Sequence, residues 1–208
     1  MITPEQFERG LRLDQYISSI THNKENFRAN FIKAVEIFTD DDLSFFRSLP
    51  YKVNIAVLSE DDNPDALRDV PIISRLSVEV GKLNLKLFRA ATHADAARVL
   101  LAFPRAEGSD NAHAPLMLPL IAFLGPDLQL IGVDAGPHPE VVTEVRRRHM
   151  AWVDSHPEVK DAREALSKMT PITRTRIVQA LYALTPEQRQ EWGRKAIGGW
   201  RKILSNLR

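Results

Sequence analysis

Apolar positions along this chain follow a helical spacing, then short continuous runs, then a helical spacing again. In the first fifty residues, Thr3-Pro4-Glu5-Gln6 reads as a helix start, with Thr as cap, Pro at the first helical position and acids in the first turn. Leu13 to Ile20 reads as a second short helix. Phe27, Phe31, Ala34, Val35 and Phe38 form one apolar face of a third, which Thr21 can cap. Thr39-Asp-Asp-Asp42 caps a fourth piece, Leu43 to Leu49, which Pro50 ends.

Val53 to Leu58 is a short run rich in β-branched residues and predicts a buried strand. Asp61 to Asp65 is a turn. Asp65 to Val80 has helical spacing, with Gly81 just past its end and Pro71 inside it to kink it. Leu83 to Phe88 predicts a second strand and Ala94 to Leu101 a helix. Phe103 to Pro115, rich in Pro, Gly, Ser, Asp and Asn, is a loop. Leu118 to Leu124 and Leu128 to Val133 flank Gly125-Pro-Asp127 as a β-hairpin. Beyond Ala135-Gly-Pro137 the spacing is helical again: Glu140 to Ser155, Val159 to Lys168, Pro171 to Leu184 and Pro186 to Leu207. Thr170-Pro171 and Thr185-Pro186 repeat the opening start signal. Gly198-Gly199 predicts close packing or a kink in the last helix. The order of elements fits a small four-stranded mixed sheet with helices at both ends.

Composition narrows the chemistry. The 208 residues include no cysteine, which excludes disulfides, thiolate metal sites and cysteine nucleophiles together. Lys and Arg number 28 against 27 Asp and Glu, too even a balance for a global field that pulls the chain onto nucleic acid or membrane. The longest apolar run, Leu116 to Leu124, is far short of the ~20 residues of a membrane span. The N-terminus carries acids and no apolar core of a signal peptide, so a cytoplasmic location is expected. Charge is nevertheless uneven. From His138 onward there are 14 basic and 8 acidic residues. Opposite charge on the two parts suits docking them together, or docking two protomers as a homodimer.

The central order and several of its residues resemble the thioredoxin superfamily. In that family a strand ends in an acidic-aromatic turn, Cys-x-x-Cys opens a helix kinked by proline, and a cis-proline loop opens a later strand. Here Pro71 matches the kink proline, so Asn63-Pro64-Asp65-Ala66 stands in for Cys-x-x-Cys, and Asp62 takes the tryptophan position. Leu118-Pro119-Leu120 matches the cis-proline loop, and Gly132 or Gly136 a late glycine. The lead-in Leu43-Ser-Phe-Phe-Arg-Ser-Leu-Pro50 is similar to a bacterial subgroup with an N-terminal helical extension, whose active turn often reads Glu-Asp-Trp-Cys-Pro-Asp. This chain reads Glu60-Asp-Asp-Asn-Pro-Asp65. The resemblance covers about residues 1–137. It implies an α/β fold, a thioredoxin-like four-stranded mixed sheet, with an N-terminal helical extension (1–50) and a core (51–137); the helical spacing that follows adds a C-terminal helical extension (138–208), which the resemblance does not cover.

The resemblance also implies lost redox work. Thiol–disulfide exchange needs a thiolate at a helix N-terminus. Asn63 has no ionisable group, Ala66 cannot resolve a mixed disulfide, and Val57 occupies the position of the family's buried acid. A thiol–disulfide oxidoreductase is therefore not expected, nor a catalytic residue. Two readings of the turn remain. Asn63 and Asp65 either serve only as helix cap and turn, or Asp62, Asn63, Pro64, Asp65, Ala66, Leu118 and Pro119 keep a groove for a protein or peptide partner.

Other constellations are thin. The six histidines form no metal-ligand pattern, and His93-Ala-Asp95 reads as a helix start, so neither metal nor cofactor is expected. No phosphate-binding glycine motif occurs. Ser109, Asp110 and His113 share a loop with no nucleophile elbow. Arg146, Arg147, Arg148, Arg194 and Lys195, near Trp192 and Trp200, read either as a solvated helical face or as a surface for nucleic acid or another anion. Three functions follow as expectations: a non-catalytic interaction or chaperone-like module, a non-redox enzyme on the same scaffold, and an anion binder through the C-terminal helices.

Overall fold

In the computed structural model, residues 1–21, 23–60, 63–104, 117–136, 139–164, 168–181 and 185–207 are described. The central strands carry the continuous apolar runs 55–58 and 120–124 because both of their faces are covered there. Strands β1 (Val53–Ser59), β2 (Leu83–Arg89), β3 (Leu120–Leu124) and β4 (Leu130–Ala135) form one mixed sheet in the order β2-β1-β3-β4. β1 and β2 are parallel, with Val53 opposite Leu83 and Ser59 opposite Arg89. β3 runs antiparallel to both β1 and β4. The two-residue alternation of a strand sorts Ile55, Val57, Ile121 and Phe123 into one core, and Ala56, Leu58, Leu120, Ala122 and Leu124 into another. The chain is thus a mixed α/β fold with a four-stranded mixed sheet flanked by helices.

The first core is closed by α5 (Pro64–Val80) through Ala66, Val70, Ile73 and Leu76. Over it lie α2 (Leu13–Ser19), α3 (Lys24–Lys33) and α4 (Asp40–Arg47), which bring Tyr16, Phe27, Phe45 and Phe46. The second core is closed by α1 (Pro4–Glu8), with Phe7, and α6 (Ala94–Leu101), with Ala96, Ala97 and Leu100. α5 runs unbroken through Pro71. Proline has no N–H, so the carbonyl of Leu67 loses its partner in the helix. The Asn30 amide of α3 donates to that carbonyl at 2.7 Å. α5 ends at Gly81, whose φ of +65° is the left-handed conformation that terminates helices.

The hairpin strands are displaced from their apolar runs: β3 starts two residues late, and β4 starts two residues late and runs on to Ala135. Leu128 has φ +63°, and the N–H of Gln129 donates to the Asp127 carboxylate, so both stay in the turn. Pro119 has no N–H to give a ladder, and β3 starts after it.

Two compact units emerge from the pattern of contacts, Met1–Gly136 with Gly193–Arg208, and Pro137–Trp192. α9 (Pro186–Leu204) contributes residues to each. In the first unit its second half lays Ala196, Ile197, Trp200 and Leu204 into the core that α5 closes. The Trp200 indole donates to Asp134 of β4 at 2.7 Å, and Arg201 reaches Asp41 and Asp42, each at 2.7 Å. Close approach falls at Gly193, where an added Cβ would lie 2.8 Å from Ile37 and 3.1 Å from Ile72. It falls again at Gly132, where one would lie 2.7 Å from Ile203. Nothing lies within 4 Å of such an atom at Gly198, so close packing is not what Gly198 serves.

The second unit holds α7 (Pro139–Ser155), α8 (Pro171–Leu181) and the start of α9 around Val153, Ala162, Met169, Ile177 and Leu181. Where helical spacing predicts a helix over 159–168, the described part is a 3-10 turn, Lys160–Arg163, followed by an extended Glu164. The Asp161 carboxylate explains the departure. It accepts from the Thr170 N–H at 2.7 Å and the Thr173 hydroxyl at 2.8 Å, and so serves the start of α8. Nine basic and eight acidic residues fall in this unit, and the five basic residues of 194–208 belong to the first. The basic C-terminal stretch is therefore divided between the two units. Among the described residues no helix is long and apolar enough to cross a membrane.

Candidate functional site

The best-defined arrangement of sequence-predicted residues lies where α5 begins. Asn63 is the N-cap, its side-chain oxygen accepting from the Ala66 N–H at 3.0 Å. Its amide nitrogen, pointing the other way, donates to the carbonyl of Leu118 at 3.0 Å. One side chain therefore ties the helix start to the loop before β3, 55 positions away in sequence. The Leu118–Pro119 bond is cis. The Pro119 carbonyl accepts from the N–H of Gly136 at 2.9 Å, which secures the other side of the same loop. Gly136 takes φ +74°, and a Cβ there would sit 2.9 Å from that of Met117.

The remaining predicted positions divide by burial. Ala66 and Pro119 are buried, Leu118 and Asn63 are half-buried, and Pro64 is the first residue of α5. Among the described residues of the loop, Met117 is an exposed apolar group, 56% accessible, with no signal in the sequence to single it out. Asp62 lies outside the described residues. Val57 is wholly buried in the core, so no acid lies beneath the turn at that position.

Asp65 belongs to a buried ionic cluster that sequence reasoning missed. Arg68 donates to Asp65 at 2.8 Å and grips Asp69 with two bonds of 2.6 Å. The three side chains are only 3%, 12% and 5% accessible for Arg68, Asp65 and Asp69. The spacing Asp-x-x-Arg-Asp was the available signal, since residues three apart are neighbours on a helix. Nothing in it says that the pair is buried. The fork geometry of the guanidinium matches two carboxylates and makes so polar a cluster tolerable there. Nearby, the buried Tyr16 hydroxyl donates to Ser59 at 3.2 Å.

Arg146, Arg147 and Arg148 lie on α7, in the second unit. Arg147 holds Glu144 with two bonds of 2.7 Å, and Arg148 adds a third at 2.9 Å. The Arg147 and Arg148 guanidiniums together hold the Glu144 carboxyl down at about 2. Arg148 is also fixed by the Leu181 carbonyl at 3.2 Å and lies over the Trp192 ring, 5.7 Å from its centre. Arg146 is exposed. The described histidines have local roles: His149 bonds the Ala162 carbonyl, His156 stacks on Trp152, and His93 meets Phe88 edge-on. Among the described residues, no three His, Asp or Glu side chains gather as a metal site.

No family model matches the chain, and no curated protein matches it. Two solved structures are similar to it over nearly its whole length. One is a crystal structure of a protein of unknown function from Pseudomonas aeruginosa, 13% identical, with TM-score 0.62 and 100% of both chains covered. The other is an HIV epitope-scaffold, also 13% identical, with TM-score 0.57, covering 97% of this chain and 96% of that one. Identity this low speaks for a shared fold and for nothing more.

Proposed function

We propose that this chain is a redox-inactive, thioredoxin-like protein of the cytoplasm that works as a non-catalytic protein-interaction or chaperone-like module. It meets an extended stretch of its partner beside Asn63, Met117, Leu118 and Pro119. One observation carries the reading: the Asn63 amide sits 3.0 Å from the Leu118 carbonyl. The turn expected to replace Cys-x-x-Cys and the expected proline loop are therefore neighbours in space. The chain has no cysteine, Ala66 is buried and Val57 fills the acid's position, so the same place has no group for thiol exchange. What it offers instead is main-chain hydrogen bonding beside an exposed Met117, a side chain that adapts to varied apolar partners.

The Leu118 carbonyl already accepts from Asn63, so an incoming main chain must share or displace that bond. Asn63→Asp keeps an oxygen for the Ala66 N–H but loses the donor to Leu118, and is expected to raise affinity.

Fluorescence anisotropy with carboxymethylated α-lactalbumin, a permanently unfolded chain without free thiols, tests the reading. Saturable binding is expected, weakened about tenfold, or about 1.4 kcal/mol, by Met117→Glu. No binding to wild type, or binding indifferent to Met117→Glu, would end this assignment.

A further inference from the structure

The arginines of α7 were left without a role by the reading above, and they line a groove of their own. Between α7 and α8, within the second unit, Arg147, Arg148, Ala151, Trp152, Ser155 and Ala180 line a shallow, open groove of about 390 Å³. Ala151 and Ala180 are small, and the Arg147 side chain beside them stays 68% accessible. Arg176 joins them from α8, its guanidinium 5.6 Å from the centre of the Trp152 ring. Among the described residues, the Glu144 carboxylate is bound by both Arg147 and Arg148. Three guanidiniums against one carboxylate leave a local excess of positive charge in a unit that is otherwise nearly neutral.

The two lining arginines differ usefully. Arg148 is 15% accessible and fixed by Glu144, the Leu181 carbonyl and the Trp192 face. Arg147 is 68% accessible and held only along one edge of its fork among the described residues. Glu144 thus acts as the chain's own anion, holding two guanidiniums in the converging arrangement that suits an oxyanion able to accept several bonds at once, a carboxylate or a phosphate. The volume lies in the range of small-molecule sites. The near balance of charge over the unit speaks against a track for a long polyanion, which needs many cations in line. Trp152 already has His156 stacked on it at 4.1 Å and Arg176 over its ring, so it is not a bare platform for stacked bases.

We propose that this α7–α8 groove binds a compact phosphate monoester, with Arg147 and Arg176 as the recruiting cations and Arg148 as the fixed one. The proposal is independent of the partner site at Asn63 and Pro119. The bound dianion shares or displaces Glu144 and carries twice its charge. A phosphomonoester on a nucleoside or on a sugar would present the same group.

Trp152 in the wall provides the readout. Its fluorescence is titrated with AMP, ribose 5-phosphate, inorganic phosphate and a short oligothymidylate, at low and at moderate salt. A saturable change with AMP or ribose 5-phosphate is expected, and which of them binds tighter names the carrier. Affinity should fall at least tenfold in Arg147→Gln and in Arg176→Gln. Both side chains are exposed, so the far-ultraviolet circular dichroism of these variants should match wild type. Glu144→Gln removes the internal anion and should tighten binding several-fold. The proposal fails if neither monoester gives saturable binding at millimolar concentration, if Arg147→Gln leaves affinity unchanged, or if only the oligothymidylate binds.

Discussion

The Asn30 amide shows how much one side chain decides in this fold. Pro71 removes the N–H that would pair with the Leu67 carbonyl, and Asn30 replaces it from a neighbouring helix at 2.7 Å. Leaving a half-buried carbonyl unmet costs ~1–2 kcal/mol, so Asn30→Ala should lower stability by about that amount. In a Pro71→Ala background the helix can supply its own N–H, and the same change should cost less than half as much. Urea denaturation of the four proteins measures that coupling, and equal costs in both backgrounds would refute it. Arg68 carries a larger effect. Arg68→Met strands Asp65 and Asp69 without their shared cation, an expected loss of ~3–5 kcal/mol. The residues of both arrangements stand plainly in the sequence. What could not be read was distance and burial: Asn30 lies 37 positions from Leu67, and an Asp–Arg spacing is the same on a wet helix face as on a buried one.

Elements with a strong local signal were legible, and those held by distant contacts were not. The four strands follow from β-branched and apolar runs, and α5 from Asn63-Pro64 at its start and Gly81 at its end. The turn at 160–163 was misread because helical spacing says nothing of Asp161's bonds to Thr170 and Thr173. α9 was legible as a helix but not in its packing. Gly193→Ala drives a Cβ into Ile37 and Ile72 and should destabilise by ~1–3 kcal/mol. Gly198→Ala adds a methyl in open space and should stabilise by ~0.5–1 kcal/mol. The Arg201–Asp42 contact gives α9 a dependence on pH. Burial raises the Asp42 carboxyl, but the Thr39 hydroxyl and N–H and the Arg201 guanidinium outweigh it and hold it below its ordinary value of 3.8. A carboxyl depressed in the folded state adds stability that is fully present above its unfolded value and is lost as pH falls through the folded one. Stability measured by denaturant should therefore decline below about pH 4. Asp42→Asn should flatten that decline and cost stability at pH 7. An unchanged acid slope in Asp42→Asn would remove Asp42 from the account.

On the scale of the whole molecule, the change of pattern near Gly136 marks one boundary between units, while the return of Gly193–Arg208 to the first unit has no local signal. It depends on Trp200 and Leu204 finding a core whose other elements run from Tyr16 to Phe123. The candidate site was legible in part. The resemblance named Asn63, Leu118 and Pro119, and the fold makes neighbours of them, but Met117 and the Arg68 cluster came only from the structure. We propose above that this place is a thiol-exchange site without its thiols, so restoring them is the direct test. In the double variant Asn63→Cys with Ala66→Cys, oxidised glutathione should close an intramolecular disulfide. The thiol introduced at position 63, at the N-terminus of α5, should titrate well below the ordinary ~8.5. Two thiols that stay separate under oxidation, or a thiol at 63 of ordinary acidity, would contradict it.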